Sequence, residues 1–366
     1  MATERVLHMK GGAGETSYSK SSLLQRKVIL KAKHVLEESV KRMMSNTTYE
    51  SCWKIAEIGC SSGSNAIMVV SDIMNIIGNT SLNLNHGSPV FQIYLNDLFG
   101  NDFNTIFKLL PDFYQSISQR KGDKVGACFI HATPGNFYGR LFPNNYIHFF
   151  HSSYSLHWLS QAPKDSTSIG KPLNKGNTYI TSTSPPSVYQ AYFEQFERDL
   201  KLFLKSRSEE LMSGGIMVLT FIGREKAREI KSPWVVIGMV LNDMVQEGLI
   251  EEAKLDFFDL PLYGPTAEEV RQVIDAEGSF KIETLKIIKM SWDANLQEDV
   301  DGSFLDSITR GEFIAKYIRA VFEPLLAVEF GEDIMDELFS RFAKLVAELT
   351  ELETLEYTNL IVSMTK

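Results

Sequence analysis

The sequence predicts an α/β protein built on a mostly parallel sheet, and three observations carry that prediction. Short apolar runs bounded by turn residues recur at Lys54–Ile58, Phe91–Leu95, Ala127–Ile130, Ile147–Phe150 and Met217–Ile222. Helix-like segments fall between several of them, notably Asn65–Ile77, Asp102–Leu110 and Ser187–Arg207. Alternation of this kind favours parallel strands with crossover helices covering both faces. The second half of the chain adds helical patterns without strands between them, around Val235–Glu252 and clearest at Ile314–Leu326 and Ile334–Leu349. These read as a helical cap over the C-terminal ends of the strands, where open α/β sheets hold their ligands.

Taken in order, residues 1–24 are rich in Gly, Ser, Lys and Thr and read as an irregular arm. From Gln25 to Met44, Val28, Ile29, Val35, Leu36, Val40 and Met43 fall on one face of a helix. The strand–helix alternation follows. Two late apolar runs, Ile282–Ile288 and Tyr357–Met364, complete one edge of the sheet. The resulting division assigns 50–225, 280–290 and 355–366 to the sheet core. It leaves 1–49, 226–279 and 291–354 as the arm and cap that shape a pocket.

With 366 residues, 44% hydrophobic and 23% charged, the chain has ordinary globular usage and ample material for a core. A net charge of −9 argues against a broad electrostatic grip on nucleic acid or an anionic membrane, leaving only a local basic patch open. Cys52, Cys60 and Cys128 cannot all pair and form no CxxC. That fits a reducing compartment and argues against structural zinc. The first residues contain no apolar signal core, and no apolar run reaches the ~20 residues of a membrane span. The expectation is a soluble cytoplasmic protein.

The strongest local signal is Ile55-Ala-Glu-Ile-Gly-Cys-Ser-Ser-Gly-Ser-Asn65. An apolar strand carries Glu57 near its end, then Gly59 and Gly63 bracket a tight turn into a helix. Free N–H groups at a helix N-terminus and a bare backbone allow a ligand close approach. The spacing is G-x-x-x-G, not the G-x-G-x-x-G of dinucleotide folds, which counts against a nicotinamide-dependent dehydrogenase. Further on, Asp97 ends a second strand, placed to accept both hydroxyls of a ribose. A third strand leads into Thr133–Tyr138, where Phe137 could lie against an adenine. Turn formation and helix capping would explain each feature singly; together and in this order they point to S-adenosylmethionine (SAM).

Five longer motifs then resemble a known family. Val6–Ser22, Ile58–Gly63, Leu95–Asn104, Pro134–Pro143 and Ser152–Pro163 look like the plant SABATH methyltransferases, as do Arg319–Leu326 and Phe330–Phe342. That family includes salicylate, benzoate and jasmonate carboxyl methyltransferases and the caffeine-pathway N-methyltransferases. The resemblance spans essentially the whole chain and implies a Rossmann-like SAM methyltransferase sheet with a helical cap over the active site. It places Tyr18, Ser22, Cys60, Asn65, Asp97, Leu98 and Phe137 on cofactor positions, together with Glu57, Gly59 and Asn136. Glu57 stands where the family usually has Asp, Ser64 where Pro is common, and Asn136 where Ser is usual. A homodimer is implied by the same resemblance.

A carboxylate acceptor is ionised at neutral pH and needs no general base, only neutral donors that aim one oxygen at the methyl from near ~3 Å. By resemblance, Gln25 and Trp158 occupy the carboxylate-clamp positions, where an amide and an indole N–H would donate. Read alone, Gln25 is better explained as a solvated helix start and Trp158 as a core aromatic. Tyr154 and His157 complete the acceptor motif; His157 stands where salicylate-specialised members have Met. Ile222, Trp234, Tyr263, Ile318, Val321 and Tyr357 fall on pocket-wall positions suited to a planar ring. Gln25 and Trp234 favour a small aromatic acid of benzoate, salicylate or nicotinate type. Tyr154 and His157 equally suit a xanthine, so ring N-methylation stays open. Some relatives carry Mg2+, and the matching positions here are Asn174, Asp256, Phe258 (through its carbonyl) and Asp259, where an acidic surface turn is the plainer reading.

Overall fold

The computed structural model describes residues 9, 11–12, 14, 17–47, 50–119, 126–164, 170–225, 232–294, 296 and 306–366. The rest of the Val6–Ser22 motif, and 226–231, 295 and 297–305 of the expected cap, lie outside the described residues. Seven strands form one sheet: β1 (Cys52–Ile58), β2 (Val90–Asp97), β3 (Cys128–Pro134), β4 (Ile147–Ser153), β5 (Leu211–Gly223), β6 (Lys281–Ser291) and β7 (Glu356–Thr365). Their spatial order is β3-β2-β1-β4-β5-β7-β6. The first five are parallel, and β7 runs antiparallel between β5 and β6. The two late strands therefore complete the expected edge with their order exchanged: β7 is internal and β6 is the border. Exposed Lys281, Lys286 and Lys289 along β6 guard that border against further pairing.

Helices cover both faces. On the arm side come α1 (Tyr18–Ser21), α2 (Leu23–Asn46) and α3 (Ser64–Asn83); α4 (Phe103–Phe107) and α5 (Leu110–Gln119) follow β2. All six apolar positions chosen for the first long helix are buried on α2. One apolar layer joins α2 and α3 to the sheet through Val40, Ile73, Ile55 and Phe91. A second, on the opposite face, runs from Ala56 and Phe150 through α6 (Pro186–Glu210). It continues into α7 (Pro233–Gln246), α8 (Glu252–Asp256), α9 (Ala267–Glu277), α10 (Ser307–Phe330) and α11 (Met335–Leu352). Sandwiching between two apolar layers is what a parallel sheet requires.

Three local expectations change. Within the arm, Tyr18–Ser21 is a helical turn, because Ser17 bonds back to the Gly14 carbonyl and Asn65 Nδ2 holds the Ser22 carbonyl at 2.9 Å. The single helix expected over Asp102–Leu110 is two: Asp102 caps α4, and Pro111, lacking an N–H, restarts the chain as α5. The strand expected at Met217–Ile222 begins six residues earlier, at Leu211, because Gly214 and Gly215 form a bulge rather than a turn.

The branch in strand order lies between β1 and β4. The chain winds outward from β1 to β3, then returns to the other side of β1 with β4. A crevice opens at such a switch point beyond the strands' C-terminal ends. Helix α10 closes it from above, and α10 itself rests on α11. That crossing is close: a Cβ on Gly311 would stand 2.2 Å from the Ala343 carbonyl oxygen. Gly311→Ala should therefore lower stability by about 1–3 kcal/mol despite alanine's better helix propensity. Urea denaturation checks this, and a stabilised variant would sink the close-crossing account.

Candidate active site

The crevice encloses about 1070 Å³ of empty space, part of it open to solvent. Its floor is Gly59 and Ser61 from the glycine turn, Asp97 at the end of β2 with Leu98 just beyond it, and Asn136 and Phe137 from the loop after β3. Tyr154, His157 and Trp158 enter from the loop after β4, and Ile222 from the end of β5. Tyr18 and Gln25 close the arm side; Trp234 of α7, Ile318 and Val321 of α10, and Tyr357 of β7 form the roof. Fifteen sequence-chosen positions thus share one cavity.

At one end, Asp97 is the only charged side chain among the described lining residues. Its Oδ2 accepts the Ser61 N–H at 2.7 Å, which fixes the carboxylate against the glycine turn. Gly59 is at φ +73°, and a Cβ there would stand 1.9 Å from Ser155 Oγ. Glycine is required at this point by the neighbouring loop, in addition to any ligand. Tyr18 lies close enough to Asp97 that burial, and then that charge, raise its phenol well above the usual range. Asn136 Oδ1 accepts the Tyr138 N–H at 2.9 Å and so shapes its own loop. An acid, a bare turn and the partly exposed Phe137 ring fit a nucleoside with an amino-acid tail.

Four of the cofactor positions stand behind the wall instead of in it. Ser22 and Asn65 bond each other and tie the arm to α3. The Cys60 thiol is buried and donates a hydrogen bond to the Ser61 carbonyl at 3.4 Å; burial, then Asp97 and Glu57, raise it well above the usual thiol range. Glu57 is buried and bonded through Oε2 to His151 Nδ1 at 2.7 Å. The cause is register: Glu57 and His151 face one another across the parallel β1–β4 pair.

The other end is lined by neutral groups. Trp158 tilts against Phe322 at 5.5 Å and His157 at 5.9 Å. Trp234 stacks on Tyr357 at 6.4 Å, and Tyr357 shares a hydroxyl–hydroxyl bond with Tyr317. Burial holds His157 down to about 3, so its ring is neutral at physiological pH. Its Nδ1 accepts the Ile222 backbone N–H at 3.4 Å, which leaves the ring proton on Nε2 as a donor. Tyr263 does not reach the cavity. It stands behind, with Arg224 over its ring at 4.6 Å and its hydroxyl on Glu269 at 3.0 Å.

Tyr317 and Phe322 also line the roof, and sequence reasoning missed them. They lie on the same face of α10 as Ile318 and Val321, so helical periodicity could have found both. Arg207 and Glu210 were missed too. Both are fully buried at the end of α6, joined at 2.7 Å. Arg207 donates to the carbonyls of Phe137 and Gly139, each at 2.8 Å, while Glu210 Oε1 accepts the N–H groups of Leu141 and Phe142.

The four suggested magnesium positions do not form a preformed oxygen cradle. Asn174 accepts from Ser184 and donates to the Tyr179 carbonyl, and Asp256 takes the Gly176 N–H with Lys175 3.6 Å from its other oxygen. The Phe258 ring packs on Phe330 at 5.0 Å, and Asp259 Oδ1 is a buried oxygen without a hydrogen-bond partner. A lone carboxylate oxygen beside engaged ones does not fit a hard-cation centre.

Fold and site together define a SAM-dependent methyltransferase. More narrowly, the chain belongs to the SAM-dependent carboxyl methyltransferase family, whose model matches residues 4–366. It is 45% identical over 373 residues to a probable jasmonic acid carboxyl methyltransferase 2 of Theobroma cacao, covering all of both chains. It is 44% identical over 380 residues to a probable caffeine synthase of Coffea canephora, covering 100% of this chain and 98% of the other. The solved structure of loganic acid methyltransferase with SAH matches at a TM-score of 0.82 and 32% identity over 98% of each chain. No helix among the described residues is long and apolar enough to cross a membrane.

Two outcomes follow from this geometry. Arg207→Met, which strands Glu210, should lower stability by about 3–5 kcal/mol in guanidinium titrations; a change within about 0.5 kcal/mol would mean the pair is incidental. His157 takes up a proton near 6.5 when unfolded but only near 3 when folded. Unfolding therefore binds a proton over that window, and stability falls as pH drops from 6.5, by about 2 kcal/mol at pH 5. His157→Gln should lose less stability than wild type between pH 7 and pH 5, and equal losses would refute the assignment.

Proposed function

We propose that this methyltransferase esterifies a small planar aromatic acid of the benzoate, salicylate or nicotinate type. The observation that carries this reading is the chemistry of the acceptor end: neutral donors, flat aromatic walls, and no charged side chain among its described lining residues. When bound, SAM supplies an electrophilic sulfonium methyl. The chain's own task is to orient the nucleophile and keep it anionic. An aromatic carboxylate is ionised at neutral pH, so no base has to be provided. Gln25 and Trp158 would hold its oxygens through neutral N–H groups, with the His157 Nε2–H a third donor of the same kind. A lysine or arginine in their place would bind the anion more tightly but quench its nucleophilicity. Fixing the geometry in a water-poor cavity supplies most of the rate.

In the same proposal, Tyr18, Gly59, Asp97, Leu98, Asn136 and Phe137 hold the nucleoside and its tail. Ser22, Glu57, Cys60 and Asn65 act one layer back, by fixing the arm, the glycine turn and the start of α3. Trp234, Tyr357, Ile222, Ile318 and Val321 bound the ring. No step depends on a metal.

The near-equal identity to a probable caffeine synthase favours a second reading, ring N-methylation of a xanthine. That reaction requires a group to take the ring proton. His157, neutral and with Nδ1 already accepting, offers a donor there instead, which ranks this reading second. Purified protein with labelled SAM, tested against aromatic acids, more flexible carboxylic acids and xanthines, is expected to give base-labile methyl esters of aromatic acids. Label found only in xanthines would reverse the order.

A further inference from the structure

The loops at the two ends of the cavity leave strands that are not neighbours. The loop carrying Phe137 follows β3 and the loop carrying Trp158 follows β4, and β2 and β1 stand between those strands in the sheet. Backbone pairing therefore gives the two loops no common register. In-line methyl transfer nevertheless demands that donor and acceptor be placed relative to one another to a fraction of an ångström. One side chain joins the loops directly. Tyr138, the residue after Phe137, donates its hydroxyl proton in a hydrogen bond to the Trp158 carbonyl oxygen.

Both ends of this link are held. The Tyr138 N–H donates to Asn136 Oδ1 at 2.9 Å, and its carbonyl accepts from Ser206 Oγ at 3.2 Å. Arg207 takes the carbonyls of Phe137 and Gly139 on either side. The Tyr138 ring lies 4.8 Å from that of Phe137, the aromatic of the nucleoside end. On the other loop, the Trp158 N–H donates to the Ser155 carbonyl at 3.1 Å, and Trp158 is bridged to Leu262. Burial, and then the charge of Asp199, raise the Tyr138 phenol well above its usual range. It therefore stays protonated, and since a carbonyl only accepts, the bond has one direction.

We propose that Tyr138 is a positioning residue for methyl transfer, tying the Trp158 peptide to the cofactor loop so that clamp and methyl donor share one frame. This rests on the reading of Trp158 as part of the acceptor clamp. The Tyr138 ring lines the cavity, but its hydroxyl is spent on the backbone and reaches the acceptor only through Trp158. The Leu262 bridge cannot take over this task, because it fixes Trp158 relative to the cap alone.

The test is the single-turnover rate of methyl transfer at saturating SAM, with whichever acid or xanthine the acceptor panel finds best. Tyr138→Phe keeps the ring beside Phe137 and removes only the donor. It is expected to slow transfer about tenfold while SAH affinity by calorimetry stays within about twofold. Ser206→Ala, a milder release of the same residue, should slow transfer about twofold to threefold, again with SAH affinity unchanged, and carries the test if Tyr138→Phe does not fold. The Trp158→Phe background, where the indole N–H is already gone, separates positioning from simple support of the fold. There each variant should slow transfer by less than about 1.5-fold, because the two sites act through one group. Losses of equal size in both backgrounds, no loss in either, or a parallel loss of SAH affinity overturn this proposal and leave the carboxylate reading untouched. A loss confined to the wild-type background, with xanthines as the sole acceptors, supports the link and overturns the carboxylate reading alone.

Discussion

The cleft depends on one buried ion pair. Arg207 and Glu210 close the last turn of α6 with no exposure to water, an arrangement whose desolvation would be unfavourable if the two groups met only each other. They do not. Their remaining hydrogen-bonding capacity goes to the backbone of a single loop, from Phe137 to Phe142. The Arg207 guanidinium also lies 5.4 Å from the Phe150 ring and 5.3 Å from Phe203. A loop that would otherwise be free to vary is therefore moulded by the end of a helix. Its aromatic, Phe137, is presented to the cavity by residues that do not line it.

The same economy of charge governs the cavity. One carboxylate stands at the cofactor end, braced by the Ser61 N–H, and the far end is kept neutral by burial. Packing beneath the aromatic roof is what holds His157 unprotonated, so the walls of the cavity also set its electrostatics. Shape and polarity are in this sense one property.

Much of this was legible in the sequence because it rests on local pattern. Apolar runs mark the strands, an apolar stripe marks the buried face of α2, and the glycine turn and Asp97 mark a ligand-binding end. What escaped notice rests on partners distant in sequence. Arg207 and Glu210 sit in Lys-Ser-Arg-Ser-Glu-Glu, which reads as a solvated helix end; only the loop about 70 residues earlier explains their burial. Tyr263 looked like pocket wall because its residue type fits, yet Arg224 and Glu269 hold it one layer back. Ser22, Glu57, Cys60 and Asn65 were near the cofactor end in sequence and in space, but strand register and the arm–α3 tie turn them away. Tyr317 and Phe322 stand at helical spacing from Ile318 and Val321, so periodicity along α10 is enough to place them on the same wall.

The insertion of β7 between β5 and β6 has a consequence for biosynthesis. Strand β6 has no neighbour in the sheet until residues 356–365 have been made, and the outer edge of β5 stays open for the same interval. Everything from α10 to α11 must leave the ribosome in the meantime. At about 5–20 residues per second, synthesis of the roughly 65 intervening residues takes several seconds, far longer than local helix formation. The nascent chain thus waits with a parallel half-sheet whose exposed border is apolar. Strand β7 carries Tyr357, so one wall of the cavity is completed together with the strand that seals the sheet.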